Sequence, residues 1–368
     1  MWLVVGTRPE AIKMAPVAHA LAAHGLAPTL VFTGQHRLKA EEFGLGGYPA
    51  VHLQCPGEQD PHRHVRSVTA ALLPLLRSPP DLLVVQGDTS SALGGALAGF
   101  TAGVPVAHVE AGLRTHDPLL PWPEEEYRSA IDAGAELLFA PTETSAANLL
   151  AEQVRGDIHV TGNTAIDALL AVEAALPPPM LPGGGIPRVL VTCHRRESWG
   201  EGLRSIAAAL IQLASEGTAR IEFVLHPNRH VASEMRLLLD GRTGISLLAP
   251  STHAELLHRI RDADLVLSDS GGIQEEAPAL GTPLLVLREK TERPEAIASG
   301  NALLVGTSTE AIVAQTRRLL GDPAARAAMS RRAFPFGDGR AAPRIADLIA
   351  DWLAQRPDLD RPLLDGTG

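Results

Sequence analysis

Leu265-Val266-Leu267-Ser268-Asp269-Ser270-Gly271-Gly272-Ile273-Gln274-Glu275-Glu276 runs from a short apolar segment, through a turn of small residues, into a helix start. A short apolar run bounded by turn residues fits a strand covered on both faces, as strands of a parallel sheet are. The same grammar recurs along the chain. It predicts strands near Leu3–Val5, Thr29–Phe32, Leu82–Val85, Val104–Ala107, Leu137–Ala140 and Ile158–Val160, with helices between them. The proline- and glycine-rich stretch from Pro177 to Pro187 can neither continue a helix nor pair as a strand, and reads as a linker. Strands then resume near Val189–Thr192, Ile221–Leu225, Ile245–Leu248, Leu265–Ser268, Leu284–Leu287 and Ala302–Val305. The expectation is an α/β protein of two doubly wound Rossmann-like domains, 1–176 and 188–340, facing each other across an interdomain cleft. Residues 341–368 read as a last amphipathic helix around Ala342–Leu353, returning to the N-terminal domain, and a loose tail from Arg356.

Composition narrows the function. The 368 residues carry a formal charge of −10, against a nucleic-acid or anionic-membrane surface, though a local basic cleft could still bind an anion. Cys55 and Cys193 are the only cysteines and lie far apart, so neither a disulfide framework nor a zinc ribbon is expected. Met1-Trp2-Leu3-Val4-Val5 reaches Gly6 at once, without a signal-peptide pattern, and the cytoplasm is the expected location. His62-Arg63-His64 alternates like a surface or strand segment and has no nearby Cys or suitably spaced acid to make a metal site.

In doubly wound sheets ligands sit beyond the carboxyl ends of the strands, so the residues after each apolar run matter most. Gly6-Thr7-Arg8-Pro9-Glu10 follows the first strand; Pro9 starts a helix whose free N–H groups favour an anion, and Arg8 and Lys13 add charge. An ordinary turn with a solvated arginine fits the same residues. The turn lacks both the dinucleotide glycine fingerprint and the Walker pattern, against a dehydrogenase or ATPase. In the second half, Ser270, Gly271 and Gly272 let a phosphate approach backbone amides, and Glu276, one turn on, can accept both hydroxyls of a ribose; a capped helix with an acidic first turn is the structural alternative. Asp88, Glu110 and His194 also follow apolar runs, Glu124 opens a helix where it could simply compensate the dipole, and His226 follows Ile221–Leu225. For proton transfer on a sugar ring, carboxylates of one domain and His194 of the other would converge on closure.

These motifs, in this order, resemble the non-hydrolysing UDP-N-acetylglucosamine 2-epimerases: Gly6-Thr7-Arg8-Pro9-Glu10-Ala11-Ile12-Lys13, Gly87-Asp88-Thr89, Val109-Glu110-Ala111-Gly112-Leu113-Arg114, Pro121-Trp122-Pro123-Glu124-Glu125, Thr161-Gly162-Asn163-Thr164, His194-Arg195-Arg196-Glu197, Asp269 to Glu276, and Thr291-Glu292-Arg293-Pro294-Glu295. The resemblance implies a GT-B-type arrangement, a homodimer, no cofactor or metal, and a UDP-sugar as the partner. It implies that Asp88, Glu110, Glu124 and His194 are catalytic, and that Arg8, Lys13, His226, Ser270, Gly271, Gly272 and Glu276 bind substrate, with Glu276 on the ribose. The implied reaction removes the C2 proton while UDP leaves C1, giving a 2-acetamidoglucal, and readdition inverts C2. Many relatives carry a second, activating UDP-sugar site with a Gln-His-Arg-Gln segment. Here Gln35-His36-Arg37-Leu38 has lost one amide, while Arg66 stands where the family has an arginine. Asn228-Arg229 replaces a frequent Asn-Pro, and the aromatic often found near Leu256 is missing, so uracil is expected to rest on backbone contacts. A UDP-2,3-diacetamido sugar as substrate, a hydrolysing 2-epimerase, a GT-B glycosyltransferase and a non-enzymatic nucleotide-sugar sensor are the alternatives.

Overall fold

A computed structural model describes residues 1–178, 185–195, 198–226 and 228–356, with the backbone alone for Arg229 and His230. Residues 179–184 of the expected linker, Arg196, Glu197, Pro227 and the tail from 357 lie outside the described residues.

Seven strands form the first sheet: β1 (Trp2–Val5), β2 (Thr29–Phe32), β3 (Ala50–His52), β4 (Leu83–Gln86), β5 (Val106–Val109), β6 (Leu137–Ala140) and β7 (Asp157–Val160). Six form the second: β8 (Arg188–Thr192), β9 (Arg220–Val224), β10 (Ile245–Leu248), β11 (Leu265–Ser268), β12 (Leu284–Val286) and β13 (Ala302–Leu304). Every pairing is parallel, in the orders β3-β2-β1-β4-β5-β6-β7 and β10-β9-β8-β11-β12-β13. Strand order therefore reverses next to β1 in one sheet and next to β8 in the other, and such reversals open crevices at the carboxyl ends. The expected pair of doubly wound α/β sheets is what the chain forms.

Two compact units contain these sheets. The first comprises Met1–Leu113, Pro123–Asp167 and Gly339–Gly368; the second comprises Arg114–Trp122 and Ala168–Asp338. In the first, Leu3, Val5, Met14, Leu21, Leu30 and Phe139 build one core layer, and Ile345, Ile349 and Trp352 of the helix Ala341–Ala354 complete it. Val4, Val31, Val85, Leu93 and Ile131 make the layer on the other face. In the second unit Val189, Val191, Leu210, Phe223, Leu267 and Ile312 form the core.

Three local readings need correction. Val104 closes the preceding helix, donating to the Gly99 carbonyl at 2.9 Å after left-handed Gly103, so the strand begins two residues later and contains His108. β3 was not anticipated, because an edge strand with exposed Ala50 and His52 lacks an apolar run. His62-Arg63-His64 is helical: Asp60 caps the helix Pro61–Leu72, accepting from the His62 amide at 2.9 Å, and Pro61 occupies the first turn. No helix among the described residues is long and apolar enough to cross a membrane.

Candidate active site

In the first unit the carboxyl ends of β1, β4 and β5 carry the expected residues. β1 passes through Gly6 into the helix Arg8–Ala23, whose capping box joins Thr7 and Glu10. Glu10 Oε2 accepts from the Gly6 and Thr7 amides at 3.0 and 2.5 Å, and Oε1 accepts from Thr89 Oγ1 at 2.7 Å. Burial pushes the Glu10 carboxyl above its ordinary value, against the pull of these donors. Glu10 thus ties the first turn to the turn after β4. Gly6 has no room for a side chain: a Cβ would lie 1.9 Å from Ser91 Oγ.

Lys13, one turn into that helix, reaches Glu110 rather than solvent. Its Nζ lies 2.5 Å from Glu110 Oε2, which also accepts from Gln86 Nε2 at 2.7 Å. Glu110 follows β5 with φ +71°, a conformation uncommon for a non-glycine residue and concentrated at functional sites. Its amide and that of Ala111 both donate to the Phe139 carbonyl at 3.1 Å, which holds the turn. Two residues on, Gly112 (φ +83°) packs so closely that a Cβ would meet the Ser145 carbonyl oxygen at 2.3 Å.

Asp88, after β4, pairs with buried Arg128 at 2.5 Å, and the other guanidinium nitrogen meets Glu125 at 2.9 Å. Arg128 lies on the helix Glu124–Gly134, so Glu124, Glu125 and the clamp on Asp88 share one element. Behind them His108 Nδ1 lies 2.6 Å from Asp132, Nε2 donates to the Gly87 carbonyl at 2.8 Å, and Asp132 accepts from the Gly112 amide at 3.1 Å. This buried strap joins the turn before Asp88, the turn after Glu110 and the helix of Glu124.

The remaining first-unit candidates stand apart in two groups. Arg8 is exposed, its guanidinium 5.8 Å from the Phe43 ring centre; its amide donates to His36 Nδ1 at 3.4 Å. Gln35 Oε1 accepts from Ser91 Oγ at 2.6 Å, so Gln35 and His36 adjoin the Gly6 turn. Leu38 packs on the core. Arg66 is exposed on its own helix, 4.0 Å from Asp60.

In the second unit Asp269 organises the ends of β8 and β11. Fully buried, it accepts from Cys193 Sγ at 3.2 Å and from the His194 and Arg195 amides at 2.8 and 2.7 Å, with His194 Nδ1 at 3.3 Å. His194 stacks on His226, ring centres 4.8 Å apart and planes 8° from parallel. Desolvation pulls the His194 imidazole below its ordinary value; Asp269 opposes this, and Arg195 and Arg288 reinforce it.

Ser270 is the N-cap of the helix Gly271–Leu280 without a capping bond from its side chain, and its amide donates to Ser268 Oγ at 3.0 Å. Gly271 abuts Arg293, where a Cβ would lie 2.7 Å from Nη1. The Thr291 to Pro294 segment buttresses this helix: Thr291 donates to Gln274 at 2.6 Å, Arg293 pairs with Glu275 at 2.7 Å and with Glu292, and Arg288 pairs with Glu292 at 2.8 Å. Glu276 is mostly buried, with Oε1 2.8 Å from His253 Nε2. Among the described residues no cluster of three or more histidine, cysteine or acidic side chains is arranged to hold a metal ion.

Sequence reasoning passed over Gln86, Arg128, Asp132 and His253. Arg128 had a readable signal, three residues after Glu125 at a helix opening. Gln86 stands at a strand end, directly after Leu82–Val85, but its partner Glu110 is brought to it by sheet order, and Asp132 meets His108 only through the packing of its helix.

Two doubly wound parallel sheets with charged side chains at their carboxyl ends define the class, an α/β protein of the Rossmann-like kind. The family model for UDP-N-acetylglucosamine 2-epimerase matches residues 19–350. A probable UDP-N-acetylglucosamine 2-epimerase of Ralstonia nicotianae is 42% identical, with 96% of this chain and 99% of the relative covered. The crystal structure of UDP-GlcNAc 2-epimerase from Neisseria meningitidis bound to UDP-GlcNAc has a TM-score of 0.88 at 36% identity, covering 95% of this chain and 99% of that one. The Methanocaldococcus jannaschii enzyme in complex with UDP-GlcNAc and UDP has a TM-score of 0.83 at 31% identity, covering 95% and 99%. The chain belongs to the UDP-N-acetylglucosamine 2-epimerase family, whose members are isomerases.

Proposed function

We propose that this protein interconverts UDP-N-acetylglucosamine and UDP-N-acetylmannosamine without hydrolysis. A base takes the proton from C2, the C1–O bond to UDP breaks, and a 2-acetamidoglucal forms. A proton returned to the other face of C2 and attack of the UDP oxygen on C1 complete the inversion. The sequence is redox-neutral, so its balance needs no electron carrier.

The observation that carries this reading is Glu110, strained at the end of β5 and held by Lys13 at 2.5 Å. The C2 proton is not acidic, because no carbonyl is attached to that carbon, so its removal needs a base fixed in place together with strong stabilisation of the departing diphosphate. Asp88, Glu110 and Glu124 are the proposed proton-transfer set. Inversion requires groups on both faces of the ring, so at least two of them must act. His194 and His226 are proposed to contact the diphosphate, with Arg8, Lys13 and the amides at Ser270, Gly271 and Gly272 carrying its charge. Glu276 is proposed to receive the ribose hydroxyls.

Incubation with UDP-N-acetylglucosamine in deuterated water, followed by proton NMR, tests the proposal. The expected product keeps its UDP linkage, has the manno configuration and carries deuterium at C2. Free N-acetylmannosamine with UDP would identify a hydrolysing enzyme instead. Absence of both product and exchange would overturn the reading.

A further inference from the structure

We infer that His253 is a positioning residue that sets the Glu276 carboxylate for the ribose diol, an inference that rests on the role proposed above for Glu276. The two side chains belong to different helices of the second unit. Glu276 lies in the second turn of the helix Gly271–Leu280, and His253 is the first residue of the helix His253–Arg261. His253 Nε2 and Glu276 Oε1 are 2.8 Å apart, with side-chain exposures of 15% and 9%. A carboxylate only accepts, so the proton of this bond resides on Nε2.

His253 is held where it can do this. Thr252 and Glu255 form a complete capping box: Thr252 Oγ1 accepts from the Glu255 amide at 3.3 Å, and Glu255 Oε2 accepts from the Thr252 amide at 2.7 Å. The helix end is therefore satisfied by other residues, and the His253 ring is not needed as a cap. Leu257 and Ile260, one and two turns on along the same face as His253, are buried, and the Ile260 carbonyl accepts from Thr282 Oγ1 at 2.9 Å, just beyond the helix of Glu276.

A glutamate has three rotatable bonds, and a diol that donates two hydrogen bonds needs both carboxylate oxygens in one plane. One bond from a fixed imidazole to Oε1 selects that plane before ligand arrives, which reduces the ordering cost of binding. The effect is specific to the diol. It should vanish for a nucleotide that lacks one of the two hydroxyls.

The test compares the affinities of UDP and 2′-deoxyuridine diphosphate for the full chain and for His253→Ala, His253→Gln and Glu276→Gln, by calorimetry. The unaltered protein should prefer UDP. Loss of a hydrogen bond to a charged group corresponds to about tenfold in affinity, so His253→Ala should weaken UDP by about that factor while leaving the deoxy nucleotide almost unchanged. His253→Gln, which places an amide N–H near the position of Nε2, should recover part of the preference. If Glu276→Gln loses the preference and His253→Ala keeps it, the positioning role is wrong while the ribose reading stands. If the unaltered protein shows no preference for UDP, or Glu276→Gln keeps that preference in full, the ribose reading fails and takes the inference with it. Equal weakening of both nucleotides by His253→Ala would mark a merely structural residue and overturn the inference.

Discussion

The two sheets finish their strands in different ways. In the first unit the ends of β4 and β5 present acidic side chains, each held by a cation or strap: Asp88 by Arg128, Glu110 by Lys13, and the turns beside them by His108 and Asp132. In the second, the end of β11 leads through Ser270 into the Gly271-Gly272 helix start, and buried Asp269 there accepts the His194 and Arg195 amides at the end of β8. The first arrangement fixes the groups proposed for proton transfer in definite places. The second has the small residues and helix start that suit the anion proposed to bind there. On the proposed function, proton transfer falls to the first sheet, and the diphosphate is gripped chiefly by the second, with Arg8 and Lys13 added from the first.

The largest expected effect breaks this division on the acidic side. Glu110→Gln keeps the shape and one acceptor oxygen but cannot take a proton, so kcat should fall by about 10²–10⁴-fold. UDP affinity, measured by calorimetry, should stay within a few fold. A comparable loss of UDP binding would mean that Glu110 belongs to the anion grip and that the two ends are not separate in function.

Arg128→Met sharpens the same comparison. The guanidinium is almost wholly buried between Asp88 and Glu125, and removing one member of a buried ion pair costs about 3–5 kcal/mol. Asp88 keeps 26% of its side-chain exposure, so water can recover part of this, and a loss of about 3 kcal/mol in urea unfolding is expected. Adding Glu125→Gln should return some of it. A loss below about 1 kcal/mol would show that Arg128 is not what holds the acidic end together.

Much of this was legible in the residues. The buried strands are four- and five-residue apolar runs such as Leu137–Ala140 and Leu265–Ser268, which show on any reading. Asp88, Glu110, His194 and Ser270 were marked because each follows such a run. What escaped was either exposed, as the edge strand Ala50–His52 is, or defined by sheet order. Gln86 meets Glu110 only because β4 and β5 are neighbours, and Asp132 meets His108 only because its helix packs there. Lys13 shows the limit most clearly. Its place in the first turns of a helix is readable, but that its ammonium lies against a carboxylate 97 positions away is not.

The smallest effect concerns the grip. The folded His194 imidazole is pulled below its ordinary value of 6.5, chiefly by desolvation. With the unfolded ring at about 6.5, the unfolded chain binds more protons as pH falls through that value, so this residue's contribution to stability is lost on the acid side and is full above it. A diphosphate beside the ring reverses the pull, because a neighbouring anion favours the charged form. UDP binding should then take up a fraction of a proton between the lowered value and the restored one, and affinity should rise as pH falls across that window. The phosphate itself titrates nearby, so the informative quantity is the difference between the parental protein and His194→Gln, measured calorimetrically in two buffers of unlike ionisation enthalpy. The variant should lose that share of the proton uptake. If both proteins take up the same number of protons, His194 does not face the anion, and the grip rests on the other proposed contacts.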